Sequence, residues 1–103
     1  MGKYFSVSDC ELIIDENSTF VNFINSREDG AIYSFEMKKF KELLKHGGKQ
    51  WKIPSKYTAT GYVELSFHTG RRHISNKGGD INTYFKDYEY KLMMQELEEI
   101  LGA

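Results

Sequence analysis

Four side chains between residues 61 and 75 have the chemistry of a phosphoryl-transfer site. Glu64, His68, Arg71 and His73 together supply a base, an acid and a cation, the set that a metal-independent ribonuclease uses. The same residue types are also ordinary on the exposed face of a β-strand, and no catalytic loop motif accompanies them. We therefore expect a protein that acts by binding and is not an enzyme.

Metal and cofactor sites have weaker support in the sequence. Cys10 is far along the chain from the histidines, and no two histidines are three or four residues apart. Glu64, His68 and His73 on one sheet face are the one arrangement that could hold a transition metal. The two Gly-Gly pairs lack the Lys-Ser/Thr ending of a nucleotide-binding loop. We expect neither a metal nor a cofactor.

The charged residues are segregated along the chain although the net charge is only -1. Residues 1–37 carry two cations against seven acidic residues, and residues 78–103 carry two against six. Residues 38–77 carry ten lysines and arginines against two acidic residues, a local charge of +8. Positive patches commonly meet polyanions. The alternative is that the acidic ends fold back and neutralise the basic middle.

Aromatic and imidazole rings alternate with cations in this basic segment. Proteins that bind single strands combine a cationic groove with rings on which bases stack. We therefore expect binding of single-stranded DNA or RNA through Lys49, Trp51, Lys52, Lys56, Tyr62, His68, Arg71, Arg72, His73 and Lys77. The prediction rests on composition, because the chain has no helix-turn-helix or other DNA-binding motif.

A protein-interaction or inhibitor domain is the alternative function. Open antiparallel sheets have edges that pair with partners or with a second copy of the same chain, which makes a homodimer through a sheet edge one option. The acidic C-terminal helix would offer a second charged surface.

Length and cysteine content lead to three further expectations. A chain of 103 residues with 40% hydrophobic residues fits one compact domain, residues 1–103. A single cysteine and the lack of a secretory signal predict a cytoplasmic protein. No apolar run approaches the ~20 residues needed to cross a bilayer, so no membrane association is expected.

The elements that position the candidate site centre on a β-hairpin. Val63, Leu65 and Phe67 alternate with polar residues, as in a strand with one buried face. A tight turn at Thr69-Gly70, of two or four residues, pairs Leu65 with Ile74. The opposite face then collects Tyr62, Glu64, Ser66, His68, Arg71, His73, Ser75 and Lys77. We expect this polar, mostly cationic face to be the working surface.

The rest of the chain predicts an α+β fold, with an antiparallel β-sheet of about five or six strands and two helices in the order β-β-β-α-β-β-(β)-α. Residues 3–15 form one extended segment with a bulge or bend near Ser8-Asp9, residues 19–24 form a second strand, and a third runs from Ala31 to Ser34 or Phe35. Residues 49–56 form an ordered connection. Residues 81–86 are either a last strand or the start of a helix.

The two predicted helices are amphipathic. The first is capped by Ser34, ends at Gly47-Gly48 and buries Met37, Phe40, Leu43 and Leu44, and its lysines are expected to be a solvated surface. The second is capped by Asp87 and buries Tyr90, Met93, Met94, Leu97 and Leu101, with Glu96, Glu98 and Glu99 outside. Strands followed by a helix and glycine occur in both halves of the chain, a weak internal repeat.

Overall fold

The computed structural model describes residues 3–7, 10–25, 31–54, 62–76 and 81–102, with side chains at 10–24, 33–49, 64–76 and 81–102. In this part of the chain eight strands and two helices follow one another as ββββαββββα. They are β1 Lys3–Val7, β2 Cys10–Ile14, β3 Phe20–Asn25, β4 Ala31–Glu36, α1 Met37–His46, β5 Gly48–Pro54, β6 Tyr62–His68, β7 His73–Asn76, β8 Asn82–Tyr84 and α2 Asp87–Leu101. The α+β class is confirmed, and the strand count exceeds the five or six expected.

The strands form two antiparallel sheets of four strands each instead of one sheet. Sheet 1 has the order β1-β2-β3-β4, and sheet 2 has the order β5-β6-β7-β8. Each sheet is followed along the chain by one helix. The weak repeat in the sequence therefore corresponds to a repeated order of elements, four strands and a helix.

The first strand pair corrects the expectation of one bulged segment over residues 3–15. β1 and β2 form a hairpin in which Val7 pairs with Cys10 and Phe5 with Leu12. Residues directly opposite in an antiparallel pair share a face. The change of parity between Val7 and Cys10 therefore results from the turn of a hairpin and not from a bulge within a strand. Ser8 and Asp9, where a bulge or bend was expected, lie outside the described residues.

The predicted connection over residues 49–56 is also corrected, because β5 occupies most of it and pairs with β6. Gly48 lies opposite Phe67 and Pro54 opposite Tyr62, with a register shift between Gln50 and Ile53. An irregularity of this kind interrupts the two-residue alternation by which a strand is recognised in sequence. Residues 55 and 56 lie outside the described part of the chain.

The β6–β7 hairpin has the predicted faces but a different register. Ile74 pairs with Phe67, and Leu65 pairs with Asn76. The loop consists of residues 69–72, because Arg72 takes a positive φ of 52° and its N–H donates to the Thr69 carbonyl at 3.3 Å. A shift of two residues leaves every side chain on its expected face. Leu65, Phe67 and Ile74 are accordingly buried.

Helix α1 begins at Met37, so Ser34 is not its N-cap. Ser34 belongs to β4, where its buried hydroxyl donates to Asn22 Oδ1 on the neighbouring strand. The strand continues to Glu36 because the pairing with β3 extends to Phe20 opposite Glu36. The four predicted apolar residues of α1 are buried. Gly47, with a φ of 71°, ends the helix and donates its N–H to Leu43 O at 2.7 Å.

Helix α2 begins at Asp87, and Lys86 is the N-cap residue in place of Asp87. The backbone N–H of Lys86 donates to Glu89 Oε1 at 2.8 Å. Residues 82–84 before it form a strand, so of the two alternatives for residues 81–86, a last strand or the start of a helix, the strand is correct.

The inward stripe of α2 differs from the prediction at its C-terminal end. Met93 and Leu97 are buried, and Tyr90 and Met94 pack partly buried against the core. Leu101 is 40% exposed, however, and Glu96 is buried. Because the helix repeats every 3.6 residues, the stripe through Met93 and Leu97 continues to Ile100.

Both halves of the chain contribute to one hydrophobic core. Its buried residues come from both sheets and both helices, including Leu12 and Phe23 of sheet 1 and Leu65 of sheet 2. The Tyr90 hydroxyl of α2 donates to the Leu44 carbonyl of α1 at 2.8 Å, which joins the two helices. Neither described helix combines the length and the apolar composition that a membrane crossing requires.

Candidate functional site

The outward surface of sheet 2 is polar and carries most of the described candidate residues. Its side chains alternate with the buried Leu65, Phe67, Ile74 and Thr83, so the two-residue period of the strands directs them away from the core. We define this polar face by Lys49, Ser66, His68, His73, Ser75, Asn82 and Tyr84.

Strand pairing arranges the polar face into two rows that cross the sheet. The first row runs Lys49, Ser66, Ser75, Asn82, one residue from each of the four strands. The second row runs His68, His73, Tyr84. Neighbouring strands are about 4.8 Å apart, so adjacent members of a row are within side-chain contact.

The second row contains an exposed aromatic stack. The His73 and Tyr84 rings have centroids 4.3 Å apart and an interplanar angle of 29°. His73 Nε2 also contacts Asn82 Oδ1, which can only accept, so this ring nitrogen donates. Tyr84 remains 57% exposed. His73 thus covers one face of the Tyr84 ring, and the other face is open to a ligand.

The loop that joins β6 and β7 presents Arg71 to solvent. The backbone N–H of Arg71 donates to His68 Nδ1 at 3.1 Å, which assigns the proton of the neutral His68 ring to Nε2. Both side chains are exposed. Within the described part of the chain neither Arg71 nor Lys49 forms an ion pair, so these two cations are not neutralised there.

The neighbouring Arg72 points the other way and is held by the protein. Its guanidinium carbon lies 3.7 Å from the centroid of the Tyr90 ring. Its Nη1 donates to the Thr69 carbonyl at 2.9 Å, and its Nε lies 3.3 Å from Asp87 Oδ1. These contacts tie the loop to the start of α2.

The residues considered for acid–base or metal chemistry are only partly brought together. His68 and His73 are cross-strand neighbours, but Glu64 lies four residues from His68 along the same strand, about 13 Å away. One carboxylate oxygen of Glu64 is buried without a hydrogen-bond partner. Among the described residues no group of three metal-ligating side chains is assembled.

The remaining predicted site residues are placed by backbone alone or lie outside the described residues. Trp51 and Lys52 belong to β5 and Tyr62 to β6, and for these three residues only the backbone is described. Lys56 and Lys77 lie outside the described part of the chain.

Tyr84 and Asn82 were missed in the sequence. The signal was present, because Ile81, Thr83 and Phe85 are buried and alternate with the exposed Asn82 and Tyr84. A stretch this short is equally compatible with a helix start, so the alternation alone did not identify the strand.

Comparisons with protein-family models, with curated proteins and with solved structures found no match to this chain. No relative therefore indicates what the polar face binds, and its ligand has to be inferred from its own geometry.

Proposed function

We propose that this protein binds single-stranded nucleic acid across the polar face of sheet 2 and does not act as an enzyme. The observation that carries the proposal is the stack of Tyr84 on His73, with Tyr84 57% exposed on the same sheet face as Lys49, which forms no ion pair within the described residues. An exposed aromatic ring fixed on a rigid sheet is a platform for an unstacked base.

In this proposal, different residues of the polar face contact the faces of the bases, the edges of the bases and the phosphates. A base stacks on the open side of Tyr84, while Ser66, Ser75 and Asn82 offer hydroxyl and amide groups to base edges. Arg71 and Lys49 lie at the margins of the face, where each can neutralise one phosphate. Stacking needs a base whose faces are free, so the proposal favours a single strand over a duplex.

The stacking part is tested with Tyr84→Ala and a fluorescently labelled oligothymidylate in an anisotropy titration. The variant should lose about 1–3 kcal/mol of binding free energy with little change in salt dependence, since stacking releases no counterions. Tyr88→Ala is the matched control, because Tyr88 is 61% exposed but belongs to α2. Equal losses for the two variants would contradict a specific role of Tyr84. Trp51→Ala, predicted from sequence alone, should behave like Tyr84→Ala.

The phosphate part is tested by measuring affinity over a range of salt concentrations. Arg71→Ala should reduce the slope of log affinity against log salt by about 0.7, the value for one phosphate contact with a single strand. Lys77→Ala should act in the same way. The exposed Lys91 of α2 provides the control, since Lys91→Ala removes a cation outside the basic segment. If the parent protein binds neither single strands nor duplexes at low salt, the proposal fails.

A protein partner is the second candidate, and α2 supplies the observation that favours it. Tyr88 and Leu92, 61% and 50% exposed, are one helical turn apart and form an apolar pair on the surface. Self-association through this pair or through the edge of β8 would make a homodimer. Sedimentation equilibrium should then report a concentration-dependent mass for the parent, and Leu92→Glu should abolish it if the apolar pair forms the interface but not if the edge of β8 does. A monomer at all concentrations would exclude the homodimer.

A further inference from the structure

The last turn of α1 carries a cationic surface that the polar face does not include. Lys45 and His46 are exposed at the C-terminal end of the helix. From the sequence, the lysines of α1 are expected to be only a solvated surface. Their position relative to sheet 2 gives them a different significance.

A close contact brings this helix end against the β6–β7 loop. A Cβ atom placed on Gly47 would lie 2.8 Å from Thr69 Cγ2 and 3.3 Å from the Phe67 carbonyl oxygen. Gly47 also takes a φ of 71°, a backbone conformation that residues other than glycine rarely adopt. Glycine therefore permits both the reversal of the chain and the approach of the helix end to Thr69.

The contact brings the end of α1 against the end of sheet 2 that carries Lys49, His68 and Arg71. We define this cationic rim by three cations, Lys45 of α1, Lys49 of β5 and Arg71 of the loop, together with the imidazole rings of His46 and His68. All five side chains are exposed. None of them forms an ion pair within the described residues.

Compensation of the helix dipole explains only part of this charge. The C-terminal end of a helix carries roughly half a negative charge, which the ammonium group of Lys45 alone exceeds. Lys45 also lines an open pocket of about 430 Å³ together with Lys38 and Lys41, with Glu42 as the one acidic residue among the described lining residues. Lys41 is engaged there, since its Nζ donates to the Gly102 carbonyl at 2.9 Å. Lys45 has no such partner in the described part of the chain.

We infer that the phosphodiester backbone of a bound single strand leaves the polar face over the β6–β7 loop and continues across Lys45 and His46 at the end of α1. The inference rests on the proposed function and specifies the path of the ligand. The rim offers three cations and contains no tyrosine, phenylalanine or tryptophan ring, so it contacts phosphates, whereas the Tyr84 stack contacts bases. Only an oligonucleotide long enough to pass the loop can reach Lys45.

The test uses two oligothymidylates, one of about 4 nucleotides, near the smallest site size of single-strand-binding domains, and one of about 12 nucleotides, which is long enough to pass the loop. Lys45→Gln should weaken binding of the longer one about fivefold near 0.1 M salt and reduce its salt slope by about 0.7. Binding of the shorter one should not change. Lys45→Arg, which keeps the charge, should bind both like the parent.

Lys39→Gln is the matched control, because Lys39 is an exposed lysine of the first turn of α1 and does not line the pocket. The inference is overturned if Lys45→Gln binds the longer oligonucleotide like the parent, or if Lys39→Gln is equally damaging. An equal loss for both lengths also overturns it, since a distal contact cannot affect the shorter ligand. If the parent binds neither length, the proposed function itself fails, and the path fails with it.

Discussion

Sheets 1 and 2 share an order of elements and a core but differ in their outward faces. In sheet 1, Asn22 lies opposite Ser34, whose buried hydroxyl is bonded to the Asn22 amide oxygen. In sheet 2, Ser75 lies opposite Asn82 and His73 opposite Tyr84, and Asn82 and Tyr84 are exposed.

The difference shows that a repeated backbone pattern need not produce a repeated surface. Polar residues at outward positions are hydrogen-bonded in both sheets, but the Asn22–Ser34 pair of sheet 1 includes a buried hydroxyl, whereas Asn82, which His73 contacts in sheet 2, is exposed. In sheet 2 the Tyr84 ring is exposed, and the polar face borders the cationic rim, whose residues form no ion pair within the described part of the chain. The local charge differs in the same direction, because residues 1–37, which include sheet 1, sum to -5, and residues 38–77, which include most of α1 and of sheet 2, sum to +8. We therefore place the proposed binding on sheet 2, and three predictions test this comparison.

The largest effect is expected in the core that the sheets share. Leu12 of sheet 1 and Leu65 of sheet 2 are both fully buried. Leu12→Ala and Leu65→Ala should each lower the free energy of unfolding by about 2–5 kcal/mol, because each leaves a cavity. Urea denaturation followed by circular dichroism should show one transition in both variants. Two separate transitions would mean that the sheets have independent cores, and a loss below about 0.5 kcal/mol in Leu65→Ala would mean that the faces of β6 are reversed.

An intermediate effect should distinguish the outward faces. Asn22→Ala removes the acceptor of the buried Ser34 hydroxyl and should cost about 1–3 kcal/mol of stability. Asn82→Ala, at the exposed position of sheet 2, should change stability by no more than about 0.5 kcal/mol. Asn82→Ala should instead weaken oligonucleotide binding, which Asn22→Ala should not. The reverse assignment of stability and binding losses would contradict the division between the sheets.

The smallest effect is expected at Cys10, the buried cysteine of sheet 1. Cys10→Ala should lower stability by about 1 kcal/mol through lost packing and leave binding unchanged, because a buried thiol contributes packing more than reactivity. Thermal denaturation and the same anisotropy titration measure both quantities. Loss of binding at unchanged stability would indicate a chemical role for the thiol.

Local patterns in the sequence were sufficient to predict the features that depend on the periodicity of a single strand or helix. The alternation of residues 62–68 predicted the buried positions of Leu65 and Phe67, and the apolar stripe of α1 predicted its buried face. The repeated order of strands and helix was visible as well. Periodicity identifies these features because each residue's exposure follows from its place in one regular element.

Tertiary structure decided the features that depend on two elements at once. The adjacent Arg71 and Arg72 are identical in type, yet a positive φ at Arg72 and the Tyr90 ring turn one inward and leave the other exposed. The rim depends in the same way on the contact of Gly47 with Thr69, which are 22 residues apart in the chain. The two-sheet division and the register of β6 with β7 depend on pairing partners. A pairing partner or a contact between distant residues leaves no period in a single sequence, because its geometry exists only after both elements have packed on the core.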